Sequence, residues 1–111
     1  TAVPDKRYIL RPEAVESLFI LYRVTARRSV ADSAWDMFRA IQKATITELA
    51  NSAVSDVTGP ANELPERTDS MESFWMGETL KYLYLIFSDP GLVSLDDFVF
   101  NAEAHPFKRL R

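Results

Sequence analysis

The carboxylate side chains are the groups in this sequence with the clearest capacity for chemistry. Glu13 follows Arg11 and Pro12 at the predicted start of a helix. The positive end of the helix dipole and the nearby guanidinium both favour its charged form, so Glu13 is a candidate general base and a poor proton donor. Acidic residues are also common in the first turn of a helix for structural reasons, and that alternative stays open.

A second carboxylate, Glu78, interrupts an apolar pattern. It occupies the i+7 position after Met71 in a predicted helix whose apolar stripe includes Phe74, Trp75 and Tyr82. Because an unpaired buried charge is costly, we expect Glu78 to be paired, hydrogen-bonded or facing a wet cavity. The alternative is a buried glutamate that pairs with an arginine for structural reasons.

The remaining titratable residues give weaker signals. Glu16 and Glu72 are interpreted as surface or capping carboxylates, and His105, the single histidine, as a hydrogen-bonded packing residue. No glycine-rich phosphate loop, histidine and carboxylate metal triad or nucleophile elbow is visible. The basic residues that close the chain are typical of a solvated tail: Lys108, Arg109 and Arg111.

Composition excludes several classes of protein. The 111 residues are 47% hydrophobic and 26% charged, the balance of one globular domain or a part of one. A formal net charge of −3 gives no electrostatic footprint for nucleic acid. The absence of cysteine removes thiol chemistry, zinc thiolate sites and disulfides. We expect no membrane span, because the apolar runs are too short, and no signal peptide in the first residues.

An antiparallel helical hairpin is predicted for the first part of the chain. Pro12 suits the first helical position, and helix 2 should run from about residue 30 to 44, after a short gap at residues 25–29. Helix 1 is apolar over much of its circumference, which indicates neighbours on more than one side. The apolar residues that recur at helical spacing are Val15, Leu18, Phe19 and Tyr22 in helix 1, and Ala34, Trp35, Phe38 and Ile41 in helix 2.

The second part of the chain is less regular. Residues 46–70 contain prolines, a glycine and small polar residues, so we predict a long structured loop with a short strand near 53–57. A third helix should follow over residues 71–87. After it we expect a helical turn, an extended run at residues 98–100 and a tail that is tied down rather than frayed.

Three stretches together resemble one enzyme family: YILRPEAVESLFILYRVT, MESFWMGETLKYLYLIFSDP and FVFNAEAHP. In this order and spacing they are similar to the C-terminal part of class I α-1,2-mannosidases, glycoside hydrolase family 47. The resemblance covers residues 8–106. It implies an all-α fold in which residues 1–111 supply the C-terminal part of one catalytic domain. That part would be about the last two helical hairpins of an (αα)7 barrel and a C-terminal extended plug.

The resemblance also implies a function. The family consists of calcium-dependent, inverting enzymes that trim α-1,2-linked mannose from high-mannose N-glycans in the endoplasmic reticulum, in the Golgi lumen or outside the cell. Glu13 resembles the family's general base, and Ala102 would reach calcium through its backbone carbonyl. Glu78 would reach calcium through water. The residues that resemble substrate contacts are Arg11, Glu16, Phe74, Glu78 and Glu103.

Two features limit what this stretch could do alone. The family's plug reads Asn-Thr-Glu-Ala-His-Pro and its threonine binds calcium through both carbonyl and hydroxyl, whereas Ala102 has only the carbonyl, so we expect weaker calcium binding. Glu103 and His105 resemble the residues that frame the plug. Inversion also needs a second carboxylic acid roughly 6.5–9.5 Å from the base. The resemblance assigns that acid to preceding segments, so this stretch alone should be inactive.

Two alternatives remain open. A mannosidase-like protein of glycoprotein quality control would bind high-mannose glycan without turnover, and Ala102 favours it, although KYLYLIFSDP and FNAEAHP look closer to the active enzymes. The second alternative is a helical interaction module that is unrelated to carbohydrate. The enzyme hypothesis requires Glu13 and Glu78 to face one shared, water-filled hollow with the end of the chain beside them.

Overall fold

The computed structural model describes residues 2–110 and is mainly helical. Among these residues, none of the helices combines the length and hydropathy that a membrane crossing demands. A small two-stranded sheet is also present, which corrects the all-α expectation. In chain order the elements are α1 (Glu13–Thr25), α2 (Arg28–Thr45), a π-helical segment (Trp75–Thr79) that continues into α3 (Leu80–Ile86), β1 (Phe98–Phe100) and β2 (Pro106–Lys108).

The predicted helical hairpin of α1 and α2 is confirmed. Its connection is only Ala26 and Arg27. Ala26 adopts the left-handed conformation with φ 54°, and its N–H donates to the Tyr22 carbonyl at 2.7 Å, which ends α1. Pro12 directly precedes α1 instead of occupying its first position, a difference of one residue that is usual at helix ends.

The third helix differs from its predicted pattern. Met71 lies outside it, and the helix opens with the π-helical segment, in which the Leu80 N–H donates to the Trp75 carbonyl five residues back. The wider turn rotates the side chains that follow, so the i+7 relation between Met71 and Glu78 does not hold. Trp75 and Thr79 are buried there, whereas Glu78 is only half-buried.

The main core lies between α1 and α3, where the tail also reaches it. The rings of Phe19, Tyr82 and Phe100 lie 5.3–5.7 Å apart between centroids. Ala104 from the tail is fully buried in the same cluster. The core therefore joins the first helix, the third helix and the C-terminal segment. A smaller cluster contains Leu10, Ile41 and Trp75.

Burial of α1 is one-sided within residues 2–110. Its face toward α3 is buried, but Ile20, Leu21 and Val24 are exposed. Trp35 of α2, expected on the buried face, is 48% exposed and contacts Phe87 with a centroid distance of 5.6 Å. The enclosure predicted for α1 from its wide apolar surface is thus incomplete in the part of the chain described.

The long loop between α2 and the π-helical segment is ordered by isolated bridges. Val54 pairs with both Tyr8 and Arg67, and Ile46 pairs with Asn51. The strand predicted near residues 53–57 is therefore reduced to one bridging position. The loop folds back along the residues that precede α1 and fixes the segment from which Arg11 and Glu13 extend.

The C-terminal segment forms a β-hairpin in place of a single extended run, and its role as a plug of the barrel stays a prediction. The extended run at residues 98–100 is confirmed as β1, which pairs antiparallel with β2 and places Phe100 opposite Pro106. Between the strands, residues 101–105 form a turn that points back toward the helices. Arg111, part of the predicted solvated tail, lies outside the described residues.

Candidate functional site

Arg11 and Glu13 lie together at the start of α1. Arg11 Nη1 is 3.7 Å from Glu13 Oε1, and the Arg11 guanidinium carbon lies 5.9 Å from the centre of the Phe74 ring. The Tyr8 hydroxyl donates to the Arg11 carbonyl at 3.3 Å. Because the ion pair is exposed, it contributes little stability, and its main effect is to orient the two side chains.

Glu78 is the side chain on which the charges of several other carboxylates act. Partial burial raises the pKa of Glu78, and the negative charges of Glu103, Glu13 and Glu16 raise that pKa further. Glu13 and Glu16 belong to α1, whereas Glu103 belongs to the tail turn, so two segments distant in the sequence act on one side chain. We call Glu13, Glu16, Glu78 and Glu103 the acidic face.

The acidic face is largely exposed, and one of its members, Glu13, pairs with an arginine, Arg11. Glu13 and Glu103 are exposed, whereas Glu16 and Glu78 are half-buried. Glu16 lies in the first turn of α1 and lines surface hollows, in keeping with its interpretation as a surface or capping carboxylate. Within residues 2–110, Glu78 forms no ion pair, so the arginine-paired alternative is wrong for the described chain. Its closest cationic influence is Lys81, which lowers the pKa of Glu78.

A water-filled hollow shared by Glu13 and Glu78 stays a prediction, because Glu78 does not line the hollow found on α1. A surface hollow on α1 is lined by Glu13, Glu16 and Ile20. No three His, Cys, Asp or Glu side chains of residues 2–110 are grouped so that they could hold a metal ion. The acidic face could therefore contribute to cation binding through water or together with other ligands. Its carboxylates alone could not supply all the direct ligands of a metal ion.

The tail turn is held by its own backbone and one side chain. Asn101 Oδ1 accepts the N–H of Glu103 at 3.0 Å and the N–H of His105 at 2.9 Å. Ala104 adopts a left-handed conformation with φ 61°. Ala102, at the tip, is exposed, and its carbonyl accepts no hydrogen bond from the described residues. The prediction that the tail is tied down is confirmed.

Lys81 connects this turn to the third helix. Its ammonium Nζ donates to the carbonyl of Ala104 at 2.8 Å across the partly buried junction. His105, expected as a packing residue, is instead exposed, and its Nε2 lies 3.6 Å from Glu103 Oε2. The imidazole is thus a neighbour of the acidic face and not a part of the core.

Two phenols that the sequence reasoning missed, half-buried Tyr8 and buried Tyr82, also lie within the influence of the acidic face. Burial, and then the charge of Glu13, raises the pKa of Tyr8 to about 12. Burial, and then the charges of Glu16 and Glu78, raises the pKa of Tyr82 to about 12. Tyr82 Oη has no hydrogen-bond partner among the described residues. The sequence placed Tyr82 in an apolar stripe. No residue spacing indicated the surroundings of its hydroxyl or the hydrogen bond from Lys81 to Ala104.

Comparison with known proteins adds independent information. Residues 1–109 match the sequence model of glycosyl hydrolase family 47. The endoplasmic reticulum mannosyl-oligosaccharide 1,2-alpha-mannosidase of Homo sapiens is 50% identical over 104 residues, which are 92% of this chain and 15% of that protein. A mannosyl-oligosaccharide 1,2-alpha-mannosidase of Arabidopsis thaliana is 48% identical over 103 residues, 92% of this chain and 16% of that protein.

A solved structure shows the same fold. The alpha-1,2-mannosidase from Trichoderma reesei superposes with a TM-score of 0.86 at 43% identity. The match covers 96% of this chain and 22% of that enzyme. The chain therefore spans between 15% and 22% of the length of these three proteins.

Proposed function

The chain belongs to glycosyl hydrolase family 47, and from this premise we propose that it forms part of a calcium-dependent, inverting mannosyl-oligosaccharide 1,2-α-mannosidase. The observation that supports the proposal most is that Glu13 and Glu16 of α1 and Glu103 of the tail turn all raise the pKa of Glu78. Carboxylates from both ends of the chain are gathered on one open face despite their mutual repulsion. Perturbed carboxylates of this kind cluster at functional sites, which supports a binding or catalytic role for this face.

The substrate proposed for this face is the α-1,2-linked mannose of a high-mannose N-glycan. Carboxylate oxygens accept hydrogen bonds from sugar hydroxyls, so Glu16, Glu78 and Glu103 would hold the sugar by its hydroxyl groups. The half-buried ring of Phe74 offers an apolar surface on which the sugar ring could rest. Arg11, stacked over that ring, would contact the substrate from the side of Glu13.

Glu13 is the proposed general base. It would take a proton from a water molecule as the water oxygen bonds to the anomeric carbon and the glycosidic C–O bond breaks. Arg11 orients the carboxylate through the 3.7 Å contact. Inversion also requires a carboxylic acid roughly 6.5–9.5 Å from the base to protonate the leaving oxygen. In this proposal that acid comes from residues outside this chain.

Calcium fits the oxygen donors that the tail presents. The Ala102 carbonyl is exposed and accepts no hydrogen bond from residues 2–110, and carbonyl and carboxylate oxygens are the ligands calcium prefers. Ala102 would bind through its carbonyl and Glu78 through water, with fewer oxygens than a threonine at position 102 would supply. When bound, calcium would orient the sugar hydroxyls at the cleaved linkage.

The architecture and cellular setting belong to the same proposal. We infer that the chain supplies about the last two hairpins of an (αα)7 barrel, with the rest of the barrel as its partner. The exposed apolar residues of α1 and the half-exposed Trp35 support such contacts. We also propose placement in the secretory pathway, in the endoplasmic reticulum or Golgi lumen or outside the cell, and the human relative's name, which includes the endoplasmic reticulum, supports this.

A host chimera tests the proposal directly. In it, the matching segment of the Trichoderma reesei enzyme is replaced by this chain, and mannose release from a high-mannose glycan is measured. We expect release, and we expect Glu13→Gln to lower kcat by about 10²–10⁴-fold because the general base is lost. Glu72→Gln, an exposed carboxylate outside the acidic face, is the matched control and should leave kcat unchanged.

One observation favours a second candidate. Because Ala102 lacks a hydroxyl ligand, the chain would also suit a glycan-binding protein of the same family that does not hydrolyse its ligand. A chimera that binds high-mannose glycan and releases no mannose would select this candidate and reject the enzyme. A chimera in which Glu13→Gln and Glu72→Gln lower kcat equally would remove Glu13 from its proposed role.

A further inference from the structure

Lys81 occupies an unusual place relative to the acidic face. It lies in the first turn of α3, directly after the π-helical segment that carries Glu78, and its side chain is partly buried. Among residues 2–110 it is the cation that acts on Glu78, and it still leaves Glu78 without an ion pair. Its ammonium is instead engaged by the Ala104 carbonyl, at 2.8 Å.

This contact fixes the one segment of the acidic face that does not belong to a helix. The turn at residues 101–105 is closed internally by Asn101, whose side chain bonds to the N–H groups of Glu103 and His105. Those bonds shape the turn but do not attach it to the helices. The Lys81 bond provides that attachment, together with the burial of the Ala104 methyl group.

We propose that Lys81 is a positioning residue that holds the Ala102 carbonyl and the Glu103 carboxylate at a set distance from Glu78. The inference deepens the proposed function and rests on it, because the carbonyl matters only if a cation binds there. Lys81 touches neither the sugar nor the ion. Lys81 acts through the backbone of Ala104, which lies two residues after Ala102, the residue whose carbonyl it positions.

The chemistry of lysine suits this task. A charge-assisted hydrogen bond to a carbonyl is stronger than a neutral one, and the flexible stem can reach across the junction between α3 and the turn. The positive charge also offsets part of the repulsion that the other carboxylates exert on Glu78. A neutral residue of the same length would provide neither effect.

The test compares Lys81→Met and Lys81→Arg in the host chimera, with Lys108→Met as the matched control on the exposed strand β2. Calcium affinity is measured by isothermal titration without glycan, and amide exchange of residues 101–105 is followed in the same samples. We expect Lys81→Met to raise the calcium dissociation constant by about 10–100-fold, the range for a residue that orients a metal ligand. Exchange in the turn should also accelerate, while α1 is unchanged.

Lys81→Arg should recover much of the affinity, because it retains a charged donor, and Lys108→Met should match the parent. Calcium affinity equal to the parent's in Lys81→Met would overturn the inference, as would a fall in thermal stability with no change in affinity. A parent chimera that binds no calcium would overturn it too. A parent that binds calcium but releases no mannose would reject the proposed function and leave the comparison of Lys81 variants intact.

Discussion

Two cations fasten the C-terminal third of the chain to its helices, and they do so in different ways. Arg23 of α1 donates to four backbone carbonyls, with Nη1 bonded to Pro90 and Val93 and Nη2 bonded to Leu85 and Leu92. Lys81 donates to the carbonyl of Ala104. The planar guanidinium of Arg23 therefore holds the loop after α3 at several carbonyls. The compact ammonium of Lys81 holds the tail turn at one carbonyl.

The surroundings of the two cations differ as much as their bonding. Burial lowers the pKa of Arg23, whose guanidinium carbon also lies 5.0 Å above the Phe19 ring in the core. Lys81 lies beside Glu78 and the acidic face. The two cations therefore have different roles, although both donate to backbone carbonyls. Arg23 donates to carbonyls at the end of α3 and in the loop after it and stabilises the fold, whereas we propose that Lys81 places the tail turn.

Removal of the Arg23 fork should give the largest effect on stability. We expect Arg23→Met in the host chimera to lower the free energy of unfolding by about 2–4 kcal/mol, since several carbonyls would lose a charged donor. Arg23→Lys should recover only part of this loss, because an ammonium cannot reproduce the fork. Denaturant unfolding measures both, with the exposed Arg39→Met as control.

The same variants test whether the two regions are independent. Calcium affinity of the folded Arg23→Met protein should equal that of the parent. If Arg23→Met weakened calcium binding as strongly as Lys81→Met, the loop after α3 would also position the tail turn, and the contrast between the two cations would fail.

A change at the tip of the turn should have an intermediate effect, confined to the ion. Ala102→Thr restores a hydroxyl beside the exposed carbonyl, and we expect calcium to bind about tenfold more tightly, equivalent to about 1.4 kcal/mol. Ala102→Val has nearly the same shape without the hydroxyl and should bind calcium as the parent does. Equal gains from threonine and valine would show that side-chain volume, and not the added ligand, changes the affinity.

Tyr82, which contacts both Phe19 and Phe100, should give the smallest effect, and only at alkaline pH. The pKa of Tyr82 is raised from 10.0 to about 12, so between these values the phenol ionises in the unfolded chain and stays protonated in the folded one. Stability should therefore fall as pH rises through this window. The stability of Tyr82→Phe should fall less steeply with pH. Part of the slope should remain, because the pKa of Tyr8 is also raised to about 12.

The exposed Tyr84→Phe is the control for this measurement and should follow the parent across the same pH range. At neutral pH, Tyr82→Phe should be as stable as the parent or more stable by up to about 1 kcal/mol, because the lost hydroxyl has no partner within residues 2–110. A clear loss of stability would contradict this and would reveal a hydrogen-bond partner in the rest of the chimera.

Local rules succeeded where one short segment decides the structure. The α1 and α2 hairpin follows from apolar spacing and a connection too short for any other arrangement. The pair of Arg11 and Glu13 follows from positions two residues apart at a helix start. The same rules failed for Glu78, because periodicity assumes an α-helix and the chain forms a π-helical segment there. The prediction that His105 is a packing residue was also wrong, because its exposure depends on how the β-hairpin packs against the helices.

The sequence by itself determined the helical segments, the candidate base at Glu13 and the family, because each depends on neighbouring residues or on the order of motifs. Tertiary structure alone decided that Glu13, Glu16 and Glu103 act on Glu78, and that Lys81 reaches the turn through Ala104. The physical reason is distance along the chain. Electrostatic repulsion and hydrogen bonds act through space, and only packing of α1, α3 and the hairpin brings these groups within reach.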